Sequence, residues 1–124
     1  MNQRKAVFVV DDDPSMLKGM RRLLRQHGYE TVPFETAKAL KKHNNFDQAL
    51  CIVLDVNLSD GSGIELRHQL VESGVDVPVI YITGNDSDAT RTAAIASGCL
   101  AYLTKPFTAQ SLIEPIERAA AAWV

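Results

Sequence analysis

Short apolar runs alternate with longer stretches of helical character along the whole chain. The runs fall at Ala6–Val10, 31–34, 50–54, Val79–Thr83 and 100–104. Three of them are nearly unbroken and rich in β-branched residues, the pattern of strands buried on both faces, as in a parallel sheet. The run at 31–34 is weaker and holds Pro33, which cannot donate to a strand ladder and so marks an edge. Helices are predicted between the runs. Asp13 is placed to cap a helix with Pro14 at its first position, and Leu17, Met20 and Leu24 recur at helical spacing before Gly28 ends it. Further helices are predicted at 36–43, at 63–73 with a stop at Gly74, over the alanine-rich 86–97 before Gly98, and at 108–122. The last turns Leu112, Ile113, Ile116 and Ala120 inward; Pro115 within it removes a backbone hydrogen bond to Ser111 and is expected to bend it. Five βα units with right-handed crossovers predict an α/β protein: a three-layer open sheet whose sites form beyond the carboxyl ends of the strands.

Composition narrows the class without naming a function. The chain has 124 residues, 46% hydrophobic and 23% charged, which is one domain able to bury a core without metal or disulfide staples. No apolar run approaches the roughly 18 residues of a membrane span. The first apolar run is too short for a signal peptide and is followed at once by three aspartates, so the cytosol is the expected compartment. The net charge of −2 is too small to argue for nucleic acid. Its distribution is uneven: residues 1–42 carry nine Lys/Arg against five acids, and residues 43–124 carry four against ten. Arg4, Lys5, Lys18, Arg21 and Arg22 lie close in sequence to the aspartates at 11–13, and a solvated helix face accounts for them. Cys51 and Cys99 have no metal or redox spacing and read as small buried hydrophobes.

The residues that follow each run carry the chemistry. Asp11, Asp12 and Asp13 follow the first, Asp55 the third and Lys105-Pro106 the fifth, while Thr83 ends the fourth. An aspartate at a strand end is commonly a helix cap, and Asp13 reads as one; the convergence of four strands on one edge carries the weight. Two carboxylates about 4 Å apart repel by roughly 4 kcal/mol at an effective dielectric of 20. Asp11, Asp12 and Asp55 therefore call for a cation or for one retained proton. All-oxygen ligands suit Mg²⁺, and His27, His43 and His68 fall on helical segments, which disfavours zinc. Carboxylates beside Mg²⁺, a hydroxyl and a lysine make a phosphoryl-transfer site in which Asp55 attacks phosphorus, Thr83 donates a hydrogen bond and Lys105 neutralises charge. No Walker loop and no base for a hydrolytic water are present, so neither ATP binding of that kind nor fast turnover is expected.

Val9-Val10-Asp11-Asp12-Asp13, Leu54-Asp55-Val56-Asn57-Leu58, Gly63, Ile82-Thr83-Gly84 and Leu103-Thr104-Lys105-Pro106-Phe107 together resemble the receiver domains of bacterial two-component response regulators. The likeness runs in order over the whole chain. It implies a flavodoxin-like (βα)5 fold with strand order 2-1-3-4-5, residues 1–124 being a single receiver domain whose output domain is absent from this chain. It further implies that Asp55 accepts a phosphoryl group from a sensor histidine kinase or phosphotransfer protein, and that Asp11, Asp12, Asp55 and the backbone carbonyl of Asn57 bind Mg²⁺. Thr83 and Lys105 contact the phosphoryl group, the Lys105-Pro106 bond is cis, and Tyr102 turns with Thr83 on activation. The fourth helix, fifth strand and fifth helix then change their preference for an output domain or partner, with phosphorylation-dependent dimerisation among the outcomes. Such a protein is a switch and not a turnover enzyme. With strand four between them, Cys51 and Cys99 would stand roughly 9–10 Å apart, too far for a disulfide.

Some positions depart from the family pattern or have second readings. Ser59 stands where many receivers have proline, and with Gly61 it predicts a less fixed loop after Asp55. The side chains of Asn57 and Asn85 overlook the phosphoryl position and are expected to tune its lifetime. Tyr102 also reads as a strand aromatic with its hydroxyl at the rim. Lys18, Arg22 and Arg25 share one helix face, which reads as solvated or as a docking face for the phosphodonor. Trp123 anchors the last helix or is partly exposed. The surroundings of Asp55 and Leu58 look like receivers joined to LuxR-type DNA-binding domains, although the chain itself has no nucleic-acid motif. Three rivals stay open: a haloacid-dehalogenase-like phosphatase using Asp11 and Asp13, a flavodoxin-like electron carrier, and a receiver that has lost phosphorylation and serves as a binding module.

Overall fold

The structure is a computed structural model that describes residues 6–122. Arg4, Lys5 and Trp123 lie outside the described residues. The elements, in order, are β1 (Ala6–Val10), α1 (Pro14–Gln26), β2 (Glu30–Phe34), α2 (Ala37–Lys42), β3 (Ala49–Asp55), β4 (Asn57–Leu58), β5 (Gly61–Ser62), α3 (Gly63–Glu72), β6 (Val79–Thr83), α4 (Asp88–Ala96), β7 (Ala101–Thr104) and α5 (Ala109–Ala121). Five strands form one parallel sheet of order β2-β1-β3-β6-β7. With the two-residue strands β4 and β5 set aside as a separate antiparallel hairpin, this is the expected order 2-1-3-4-5 of a flavodoxin-like (βα)5 fold.

Side-chain alternation along the central strands builds two cores. Val7 and Val9 of β1 and Ile80 and Ile82 of β6 meet Leu17, Met20 and Leu24 of α1 and Leu112, Ile113 and Ile116 of α5. Ala6, Phe8 and Val10 face the opposite side with Val79 and Tyr81, under Leu40 of α2, Leu66 and Leu70 of α3 and Ala94 of α4. Both faces are covered, so these strands read in sequence as unbroken apolar runs. Each fully buried leucine or isoleucine contributes about 2–3 kcal/mol of transfer free energy. The register of β1 on β3 shifts by one between Ala6 and Val7, leaving Leu50 as the extra residue of a bulge. Leu50 and Cys51 consequently both fall on the α1/α5 side.

Helix boundaries follow local chemistry. Asp13, Thr36, Ser62, Ser87 and Thr108 each cap a helix by accepting the backbone N–H of its second or third residue. Gly28 and Gly74 take φ of +85°, which lets Tyr29 and Val75 donate back to Leu24 and Leu70. In α5 the inward set is Leu112, Ile113, Pro115, Ile116 and Ala119; the expected Ala120 is only partly buried. Pro115 sits within a continuous α5 and serves as a core residue. Both cysteines are free thiols on opposite sides of the sheet, Cys51 buried and Cys99 half-buried, so the expectation that both are buried holds only for Cys51. No helix among the described residues is long and apolar enough to cross a membrane.

Candidate functional site

The carboxyl ends of four parallel strands meet at one edge. Asp11 follows β1, Asp55 closes β3, Thr83 closes β6 and Lys105 follows β7. Asp11, Asp55 and Thr83 are the buried polar side chains among the described residues, which sets them apart from an otherwise apolar interior. Burial without partners would be costly, and each has partners. Lys105 Nζ donates to Asp11 Oδ2 at 3.1 Å and to Asp55 Oδ2 at 3.0 Å. The other oxygens are met by the main chain: Asp13 N–H donates to Asp11 Oδ1 and Asn57 N–H to Asp55 Oδ1, both at 2.9 Å.

Burial pushes the Asp11 carboxyl above its ordinary range, against the Asp13 N–H and the Lys105 ammonium, which pull it down. For Lys105, burial favours the neutral amine, but its hydrogen bonds to Asp55 and Asp11, together with their charges, outweigh it and hold the ammonium above its ordinary value. The result is one cation held between two carboxylates, one of which is reluctant to ionise.

Asp12 is exposed and completes a triad. Asp11, Asp12 and Asp55 present oxygens that all lie within 4.8 Å of one another, the one such cluster of acid, thiol or imidazole groups among the described residues. The donor set is hard oxygen, open to solvent through Asp12, and contains no imidazole or thiolate, so it fits Mg²⁺ and not zinc. Asp13 is engaged otherwise: its side chain accepts Ser15 N–H at 2.9 Å as the cap of α1. That leaves it poorly placed as the acid of a phosphatase pair with Asp11.

Thr83 Oγ1 accepts Asn85 N–H at 3.0 Å and the Asn57 side-chain Nδ2 at 3.3 Å. A Cβ at Gly84 would make only ordinary contact with the Lys105 side chain, so there is room beside Thr83. The Lys105-Pro106 peptide bond is cis.

The segment after Asp55 differs from the loosely held loop that Ser59 and Gly61 suggested. It folds into the β4–β5 hairpin, and Gly63 N–H donates back to Val56 O at 2.9 Å. Asp60, at its tip, accepts Ala37 N–H at 2.9 Å and Lys38 N–H at 3.0 Å, joining Thr36 at the amino end of α2. Hydrogen bonds therefore fix this turn where a proline does not. Asp60 had no signal in sequence, because its partners lie 23 and 22 residues away.

On the α4–β7 side, Tyr102 is half-buried at the sheet edge and its hydroxyl donates to Asp86 Oδ1 at 2.8 Å. Arg91 Nη2 holds Asp86 Oδ2 at 2.6 Å, and its guanidinium stands 5.5 Å from the Tyr102 ring centre. Neither Asp86 nor Arg91 was singled out by sequence, since five positions is not a helical repeat. Lys18, Arg21, Arg22 and Arg25 are exposed along α1 and border one groove, and none forms an ion pair among the described residues.

Comparison with known proteins agrees with this geometry. The response regulator receiver domain family matches residues 7–117. Nodulation protein W of Bradyrhizobium diazoefficiens is 34% identical over 110 residues, covering 89% of this chain and 48% of that protein. Among solved structures, the response regulator StyR superposes with a TM-score of 0.87 at 36% identity, over 96% of this chain and 60% of StyR. The beryllofluoride-activated NtrC4 receiver domain dimer gives 0.86 at 31% identity, over 96% of this chain and 98% of NtrC4's. The chain spans about half the length of the curated relatives it matches, 48% and 54% for the first two.

Proposed function

The chain belongs to the response regulator receiver domain family, and from that premise we propose that residues 1–124 form a single receiver unit whose Asp55 is the phospho-acceptor of a signalling switch. In this reading Asp11, Asp12, Asp55 and the Asn57 backbone carbonyl hold Mg²⁺, which when bound offsets negative charge on the phosphoryl oxygens. An Asp55 carboxylate oxygen forms a bond to phosphorus as the phosphorus–nitrogen bond of a phosphohistidine donor breaks, and the bonding pair stays with the imidazole. The observation that carries the reading is the Lys105 ammonium shared between Asp11 and Asp55, at 3.1 and 3.0 Å, beside the buried Thr83. That ammonium already sits where phosphoryl charge would arrive.

The donor is a sensor histidine kinase or phosphotransfer protein, docked by the α1 face that carries Lys18, Arg22 and Arg25. Phosphorylation draws Thr83 toward the acceptor, Tyr102 turns with it, and the surface of α4, β7 and α5 changes its preference for an output domain, a partner protein or a second copy. The unit works in the cytoplasm and binds no nucleic acid itself. It is a switch with slow loss of its phosphoryl group: among the described residues the carboxylates beside Asp55 are those assigned to Mg²⁺, which leaves no separate base for a hydrolytic water.

Intact-mass spectrometry after incubation with Mg²⁺ and acetyl phosphate tests the reading. One added phosphoryl group is expected on the wild type, and none on Asp55→Asn or without Mg²⁺. No adduct on the wild type, with Mg²⁺ binding shown and rapid turnover excluded, would defeat it.

A further inference from the structure

Asn57 holds two parts of the site at once. Its backbone N–H donates to Asp55 Oδ1 at 2.9 Å, and its side-chain Nδ2 donates to Thr83 Oγ1 at 3.3 Å. Thr83 is buried, and the same Oγ1 accepts Asn85 N–H at 3.0 Å. A hydroxyl oxygen carries two acceptor lone pairs and one proton. Here both lone pairs face N–H donors, so the proton is all the hydroxyl has left to offer. Among the described residues no protein group accepts it. The main-chain bond to Asp55 also keeps the Asn57 amide in register with the acceptor carboxylate.

We propose that Asn57 is a positioning residue for phosphoryl transfer: its side-chain amide, with the Asn85 N–H, occupies the acceptor side of the Thr83 hydroxyl and leaves its proton directed to a phosphoryl oxygen at Asp55. The inference rests on the phospho-acceptor reading of Asp55. It assigns Asn57 more than bulk near the site, because a residue that merely shields the acyl phosphate would act equally with or without the Thr83 hydroxyl.

The test is a double-mutant cycle of Asn57→Leu and Thr83→Ala, with phosphorylation by acetyl phosphate and Mg²⁺ as the rate measured. Leucine keeps the bulk of asparagine and removes the donor; Asn57→Ala serves as a second variant. Asn57 is exposed, so neither change touches the core. Asn57→Leu is expected to slow phosphorylation about fivefold in the wild-type background, the worth of one hydrogen bond. In the Thr83→Ala background it is expected to do nothing. Equal slowing in both backgrounds overturns the proposal. In parallel, NMR couplings of the Thr83 methyl report its χ1 population in the unphosphorylated protein. That population is expected to shift in both Asn57 variants, and an unchanged population overturns the proposal whatever the phosphoryl chemistry. If the rotamer responds but the wild type accepts no phosphoryl group, the acceptor reading falls, and the link from Asn57 to transfer falls with it.

Discussion

Lys105 reaches Asp55 across 50 residues of sequence to place Nζ 3.0 Å from Oδ2. The same nitrogen serves Asp11 at 3.1 Å, so a single partly solvated ammonium balances two buried carboxylates. Lys105→Met removes that cation and leaves the carboxylates repelling. The expected loss is about 1–3 kcal/mol at neutral pH, below the range for a fully buried pair because the ammonium is partly hydrated. The sign with pH is defined. Asp11 already titrates above its unfolded value, and in the variant it rises further, so the folded state binds the extra proton and stability falls as pH climbs above 3.8 toward the folded value. In the wild type, Lys105 titrates above 10.5, so its contribution is complete below that pH and is lost as pH rises through the folded value. Thermal melts at several pH values, with and without Mg²⁺, check this. Added Mg²⁺ is expected to stabilise the variant more than the wild type, and an equal response would show that Lys105 is not the counter-ion.

Gly63 opens α3 directly against the end of β3, where an added Cβ would overlap the backbone carbonyl oxygen of Asp55. On an open helix, alanine is favoured over glycine by about 1 kcal/mol. Here the sign is expected to reverse. Gly63→Ala must displace either α3 or the chain at Asp55 and Val56, and a loss of about 2–4 kcal/mol is expected. Urea unfolding measures it, and a variant as stable as the wild type would mean that the approach relaxes freely.

Asp60 links the hairpin that follows Asp55 to the amino end of α2. The two N–H donors of Ala37 and Lys38 hold its carboxyl below the ordinary value of 3.8. A depressed folded value gives stability that is present above the unfolded value and lost as pH falls through the folded one. Asp60→Ala is therefore expected to lower the melting temperature by a few degrees near neutral pH. The gap to the wild type should close as pH drops below 3.8. A gap that persists in acid would assign the loss to hairpin geometry instead of the charge on the α2 cap.

What was legible in the sequence follows from burial. Strands covered on both faces must be apolar at every position, so β1, β3 and β6 stood out, and the polar residue ending each of them marked the site edge. Asp11, Asp55 and Thr83 were visible for that reason, and Lys105 by following the weaker run that becomes the edge strand β7, although nothing in sequence shows that one ammonium serves two carboxylates. The β4–β5 hairpin was not legible, because two-residue strands have no period. Asp60 caps a helix that begins before it in sequence, and such a contact exists only once β1, β2 and β3 lie side by side. The Leu50 bulge is hidden for a related reason: an apolar run reads the same with or without one extra residue.

Tyr102, Asp86 and Arg91 close a triangle at the α4–β7 surface. The tyrosine hydroxyl donates to Asp86 Oδ1, Arg91 holds Asp86 Oδ2, and the guanidinium faces the tyrosine ring. Ionising Tyr102 would set a phenolate against Asp86, so its hydroxyl titrates above the ordinary 10.0, through burial first and then through the bond to Asp86. Tyr29 and Tyr81 are also raised, by burial foremost, and Asp86 is not among the causes. Asp86→Ala is therefore expected to move one of the three tyrosines to lower pH in an alkaline absorbance titration and leave the others in place. Stability should change by less than about 1 kcal/mol, as for other exposed ion pairs. The freed ring should exchange rotamers faster in NMR spectra of the unphosphorylated protein, since any turn of Tyr102 has to break the Asp86 bond first. An unchanged titration would show that Asp86 does not restrain Tyr102 in solution, and that the ring turns without this barrier.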